Sequence, residues 1–264
     1  MGKQWKNAPV YFTVAQIRCN PVLSLPSYIP GIQECFRKNG FPDFKRVLTR
    51  TLNMPLLQGQ NSEAQQPTMQ DAERYIFSNI ENTKNFNLEQ NALSFQTTKY
   101  VTFEQFAADL KGGIGIVHGA VGLDFIERIG VRYLDAVMPK PDETLSEYLN
   151  PGVMGLYEKL KGNIQYSFSE TLTHGENSSV LSRTILQNGK IGFPPDILTG
   201  MTLTVQQPFH QFDGMHAVID TDAFYGERTR FDLEELIKTL DALHECTSAS
   251  FKATITDHAR KTWE

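Results

Sequence analysis

The chain has 264 residues, 40% of them apolar, with 17 phenylalanines, 9 tyrosines and a formal charge of −5. That length fits one large domain or two moderate ones with a full core. The acidic balance argues against a general nucleic-acid surface, and the absence of any run of 18 apolar residues argues against a helical membrane span. The first residues, MGKQWKNAPVYF, lack the apolar stretch of a secretory signal. Cys19, Cys35 and Cys246 are odd in number and far apart, which points to reduced thiols in a cytoplasmic protein.

Val10, Phe12 and Val14 alternate, and Ile17 extends a strand that Asn20-Pro21 ends. Pro26 to Asn39 reads as a helix with Ile29, Ile32, Cys35 and Phe36 on its inner stripe, with Ser27 as one candidate cap and Gly40 as a candidate stop. Phe44 to Leu57 is a strand candidate that carries Lys45, Arg46 and Arg50, a modest basic cluster. Gly59 to Gln70 is a polar loop rich in glutamine.

Strand character returns at Arg74 to Ile80. Phe86 and Leu88, then Leu93, Phe95 and Thr97, alternate around a loop at Glu89–Ala92, so a hairpin is expected. From Thr102 the period changes: Thr102 can cap a helix whose Phe103, Phe106, Ala107 and Leu110 recur at helical spacing. Gly112, Gly113, Gly115 and Gly119 either end that helix or mark close packing. Their spacing matches no phosphate-binding motif.

Asp124 to Met138 reads as a long central strand, with Arg132 set among apolar residues, where a buried arginine needs a partner. Thr144–Leu149 and Val153–Leu160 read as short helices around Asn150-Pro151-Gly152. Strands follow at Ile164–Leu172, Val180–Leu186 with Arg183, Met201–Val205, and Met215–Phe224. Phe231–Cys246 is a helix capped by Asp232, and Thr256 caps a last short one.

This order gives an α+β fold, mostly antiparallel sheet with covering helices, in two halves of broadly similar layout. Residues 1–138 form the first half, 139–162 a connecting helical segment and 163–264 the second.

The Asn85–Asp109 stretch, Glu127–Asp135 and Ile219–Asp222 carry a resemblance. Together with the Pro-led strand Pro9–Arg18, the Phe95–Phe106 hairpin-to-helix turn, the Arg132-Tyr133 pair and the alternating Asp220 and Asp222, they resemble an uncharacterised, sporadically distributed bacterial family without assigned function. The resemblance implies a shared fold and a cytosolic location, and it implies no reaction.

Asp220 and Asp222 share a strand face, so they could act as an acid–base pair or help hold a divalent cation. The simpler expectation pairs them with Arg132 and Arg183 in a semi-buried ion network that fixes strand order. His210, Asp213 and His216 are metal-ligand types without a metal-site spacing. Lys45, Arg46 and Arg50, with Tyr11, Phe12 or Phe44 as stacking groups, are the nucleic-acid candidates. Ser178, Ser179 and Ser182 lack the glycines of a nucleophile elbow.

Three functions follow. The leading one is a non-catalytic interaction or regulatory protein, self-associating or joined to a protein partner, with no cofactor. The alternatives are a metal- or ligand-dependent enzyme using Asp220 and Asp222, and a nucleic-acid-binding subunit of a complex.

Overall fold

The computed structural model describes residues 7–53, 68–157, 159–162, 164–198 and 201–264. Strand β1, Val10–Cys19, is buried on both faces at Tyr11–Thr13 and alternates only from Thr13 to Cys19, and helix α1, Leu25–Lys38, follows it. Next come β2 (Asp43–Asn53), β3 (Thr68–Ser78), β4 (Lys84–Glu89) and β5 (Ala92–Thr97). Helix α2, Phe103–Val121, starts where Thr102 Oγ1 accepts the Gln105 N–H. Strand β6, Phe125–Val137, begins the second half of the sheet, so the sheet divides between β1 and β6, and β6 does not belong with the first half, where the 1–138 boundary places it.

Helix α3, Leu145–Tyr148, and a 3-10 turn at Pro151–Val153 lead to β7 (Tyr166–His174) and β8 (Ser179–Lys190). A single helical turn, α4 (Pro195–Leu198), precedes β9 (Asp213–Tyr225) and the short β10 (Thr229–Arg230). Helices α5, Leu233–Thr254, and α6, Asp257–Trp263, end the chain, capped by Asp232 and Thr256.

The strands form one antiparallel sheet in the order β2-β3-β4-β5-β1-β6-β9-β8-β7, with β10 beside β6. The order is mirrored about its centre. Strands β1 and β6 pair antiparallel, and each is flanked by the strand that ends its own meander, β5 or β9. Each meander leads into a long helix, α2 or α5. The fold is thus α+β with a repeated layout, and the sheet is continuous through both halves.

One face of the sheet is covered by α1, α2 and α5. Ile32 and Phe36, Leu110 and Ile114, and Leu240 and Leu243 pack there on Ile17, Phe86, Phe95, Val131 and Ala223. Burial on this scale, at roughly 25 cal/mol per Å², is what holds the layers together. A smaller core joins α3 and α6 to Val137, Ala217 and Ile219. On the opposite face, helix-free apart from the single turn α4, the segment between β8 and β9 lies over Phe12, Leu134 and Val218 with Phe193, Ile197, Met201 and Leu203.

Several expectations need correction. Of the two readings left open for its glycines, the helix from Phe103 follows the close-packed one and does not stop at Gly112. It continues because Gly113 faces the Phe86 ring, where an added Cβ would lie 2.1 Å from a ring carbon. The glycine marks a helix pressed onto the sheet, and α2 ends only at Gly122, whose φ is 67°.

Met201–Val205 is no strand. Its polar backbone bonds outside the ladder: Thr204 N donates to Asn82 O, and Thr98 Oγ1 donates to Thr204 O. Apolar alternation there reflects side chains set onto the sheet rather than pairing within it. The helix expected over Val153–Leu160 is broken at Gly155, which sits at φ 60°. Most of the polar loop Gly59–Gln70, and residues 54–57 of the strand candidate before it, lie outside the described residues; Thr68–Gln70 belong to β3.

Candidate functional site

Strands β6 and β9 place a carboxylate on each face of the sheet. Their register sets Arg132 opposite Asp222, Leu134 opposite Asp220 and Asp135 opposite Ile219. Successive side chains alternate, so Arg132, Asp220 and Asp222 point to the helix-free face, while Asp135, Tyr133 and Thr221 point toward the helices.

On the helix-free face Asp220 is 1% exposed. It accepts two hydrogen bonds from Arg132, from Nε at 2.6 Å and Nη2 at 2.7 Å. Arg183, its direct neighbour on β8, donates a third at 3.2 Å. Arg132 also binds Asp196 at the start of α4, and Arg183 binds Glu170 on β7 at 2.7 Å. These charge-assisted contacts offset the cost of taking an aspartate out of water. Arg132 and Arg183 keep their protons firmly, against a desolvation that works the other way.

Asp222 is placed differently. It lies 3.7 Å from Arg128, whose guanidinium stacks over Phe224 at 4.7 Å. Gly130 leaves room for that guanidinium: a Cβ there would meet Arg128 Nη1 at 3.0 Å. Burial pushes the Asp222 carboxyl above its ordinary range, partly countered by Arg128 and Arg132. Arg132, Arg183 and Asp220 are therefore brought together as one cluster, with Asp222 in a second pair beside it.

A groove of about 430 Å³ opens next to this cluster, floored by Gln16, Asn87, Ser94, Gln96, Arg128 and Asp222. Asn87 Oδ1 and Gln96 Oε1 are buried there without a hydrogen-bond partner among the described residues. A native protein seldom leaves buried acceptors open without reason.

On the helix side lies a larger cavity, about 770 Å³, between the sheet, the start of α2, the middle of α5 and the chain's last residues. Tyr100, Phe103, Tyr133 and Phe251 wall it. At its floor Asp135 is 7% exposed and makes no hydrogen bond or ion pair with a described residue, and Thr221 Oγ1 beside it is a buried hydroxyl without a partner. Burial, and then the nearby Asp220, push the Asp135 carboxyl up to about 8. Tyr133 Oη meets His244 Nδ1 at 3.0 Å, and the His244 ring stacks on Phe103 at 4.0 Å. Burial holds His244 below the usual histidine range, so it is neutral at pH 7.

Sequence reasoning missed Asp135. The signal was present: it is a carboxylate on the same strand parity as Ile129, Val131, Tyr133 and Val137.

The other candidate residues are not gathered. His210 and Asp213 are exposed, while His216 is buried and fully engaged. Its Nδ1 donates to Gly214 O at 2.9 Å, and its Nε2 accepts from Gln187 Nε2 at 3.1 Å. Among the described residues no group of three or more His, Cys, Asp or Glu could hold a metal ion. Lys45 and Arg46 project to opposite faces of β2, paired with Asp43 and Glu73 respectively. Arg50 lies on β2, and its side chain falls outside the described residues. Tyr11 and Phe12, expected as stacking groups, are buried against Phe193 and offer no platform. Phe44 is part-exposed and rests on Phe77 at 5.4 Å.

No helix of the described residues is long and apolar enough to cross a membrane. The sequence matches no protein-family model, and no curated protein matches it.

Proposed function

We propose that the protein is a non-catalytic interaction protein of the cytoplasm that associates with a second copy of itself along β7. The observation that carries this is the contrast between the two sheet edges. Strand edges invite further pairing unless charge guards them. Edge strand β2 carries Lys45 and Arg46, whereas edge strand β7, YSFSETLTH, has no Lys or Arg. Tyr166, Phe168 and Leu172 stand 73%, 53% and 50% exposed on a single face of β7.

Antiparallel pairing about a two-fold axis at Glu170 sets Phe168 of each copy against Leu172 of the other. Both central glutamates then meet, each already neutralised by its own Arg183. Three free cysteines suit a reducing compartment. Light scattering at micromolar concentration is expected to give twice the monomer mass, and Phe168→Glu with Leu172→Glu to give a monomer of unchanged melting temperature. A monomeric parent protein, with or without a different protein bound to β7, contradicts the reading.

The groove favours a second reading, in which a small polar ligand donates to Asn87 Oδ1 and Gln96 Oε1. In any chemistry there Asp222 is the less committed acid, since three guanidinium N–H groups already engage Asp220. A melting-temperature rise with a sugar or nucleotide panel, lost in Gln96→Leu, supports this reading; no rise with any member counts against it.

A further inference from the structure

We infer that the helix-side cavity is a binding site for a small organic cation, a primary ammonium carried on a short aliphatic chain, with Asp135 as its counter-charge. This goes beyond the association proposed for β7, uses neither that strand nor the groove, and stands or falls separately.

Two features converge on such a ligand. The first is Asp135, a buried acid at the cavity floor that no described residue pairs or hydrogen-bonds. An isolated buried carboxylate is costly, so such a group is retained where an occupant supplies the missing charge. Thr221 Oγ1, also buried and open, offers an acceptor for a second ammonium hydrogen. The second is the wall. Tyr100 and Tyr133 pack edge to face at 5.5 Å, and their rings suit both an alkyl chain and a cation. A volume near 770 Å³ is that of a small-molecule site.

Among the described residues, no group within reach of Asp135 supplies positive charge at neutral pH. Tyr11 from β1, Tyr133 from β6 and Tyr100 from the β5–α2 connection all have hydroxyls held above the ordinary tyrosine range. His244 from α5 is neutral, and Asp220 from β9 is negative and raises the Asp135 value. At pH 7 the free protein thus keeps Asp135 protonated. Binding an ammonium ionises it, and the displaced proton leaves to solvent, so charge and protons balance.

Calorimetry with putrescine at pH 7, in phosphate and in Tris, tests this. The two buffers differ in ionisation enthalpy, so the difference in heat counts protons. Release close to one proton per putrescine bound is expected. Asp135→Asn is expected to bind at least tenfold more weakly and release none. N-acetyl-lysine amide is the second arm: binding there as well assigns the site to a lysine side chain, and binding of putrescine alone assigns it to a free amine. Absence of binding by both amines in the parent protein overturns the proposal. Equal binding by parent and Asp135→Asn, with no proton released, does so too. Neither result bears on the mass measured for the β7 dimer.

Discussion

Asp135 and Asp220 lie on adjacent strands, both almost wholly buried, and meet opposite fates. Asp220 faces the helix-free side, where β6 and β8 each bring an arginine to it. Asp135 faces the helix side, where its neighbours are tyrosines, a threonine and a neutral histidine. The difference shows how one sheet can use two carboxylates in unlike ways. On one face the acid is a brace, satisfied inside the protein. On the other it is an open valence at the bottom of a cavity, held neutral because no described residue nearby neutralises it.

The comparison breaks most severely if the brace is cut. Arg132→Leu leaves Asp220 buried with only Arg183, and a loss of about 3 to 5 kcal/mol is expected in denaturant unfolding. Replacing both, as Arg132→Leu with Asp220→Leu, should recover most of that loss, because two apolar side chains need no compensation.

The opposite sign is expected at Asp135. Folded, it keeps its proton up to about pH 8, whereas an unfolded aspartate loses its proton near about 4. Between those values the folded state binds the extra proton, so this group's contribution to stability falls as pH rises from about 4 to about 8 and levels off above. Asp135→Asn removes that slope. Urea unfolding should show it more stable than the parent by roughly 5 kcal/mol at pH 8 and nearly equal at pH 4.

Thr221→Val is expected to stabilise by about 1 kcal/mol in the absence of ligand, since it removes a buried hydroxyl with no partner. The smallest effect belongs to the exposed charges of β2. Arg46→Ala should leave the urea unfolding midpoint essentially unchanged, as a solvent-exposed ion pair contributes little.

Much of the fold was legible because period and caps agree locally. The hairpin at Lys84–Thr97, the Thr102 cap, and the strands around Arg132 and Asp220 are readable from alternation and capping residues alone. What could not be read depends on distant contacts. The glycines of α2 resolve only once Phe86 is seen against Gly113. Met201–Val205 alternates like a strand because it lies on one, a distinction that periodicity does not make.

The arginine–aspartate cluster was visible as polar residues inside oily strands. Which aspartate each arginine takes was not: Arg132 bypasses Asp222, directly opposite, for Asp220 further along. Asp196 joins from the helical turn α4, 64 residues away in sequence, beyond any local pattern. The helix-side cavity needed the long helix α5 and the chain's end to be placed together, although Asp135 itself stood in the sequence as an acid in an apolar row.

The most direct test follows the Asp135 carboxyl carbon by ¹³C NMR across pH, with Asp135→Asn used to assign the signal. The account predicts a midpoint near 8 in the free protein and a clear downward shift when putrescine occupies the cavity. A midpoint in the ordinary carboxylate range, about 4, in the free protein would contradict it.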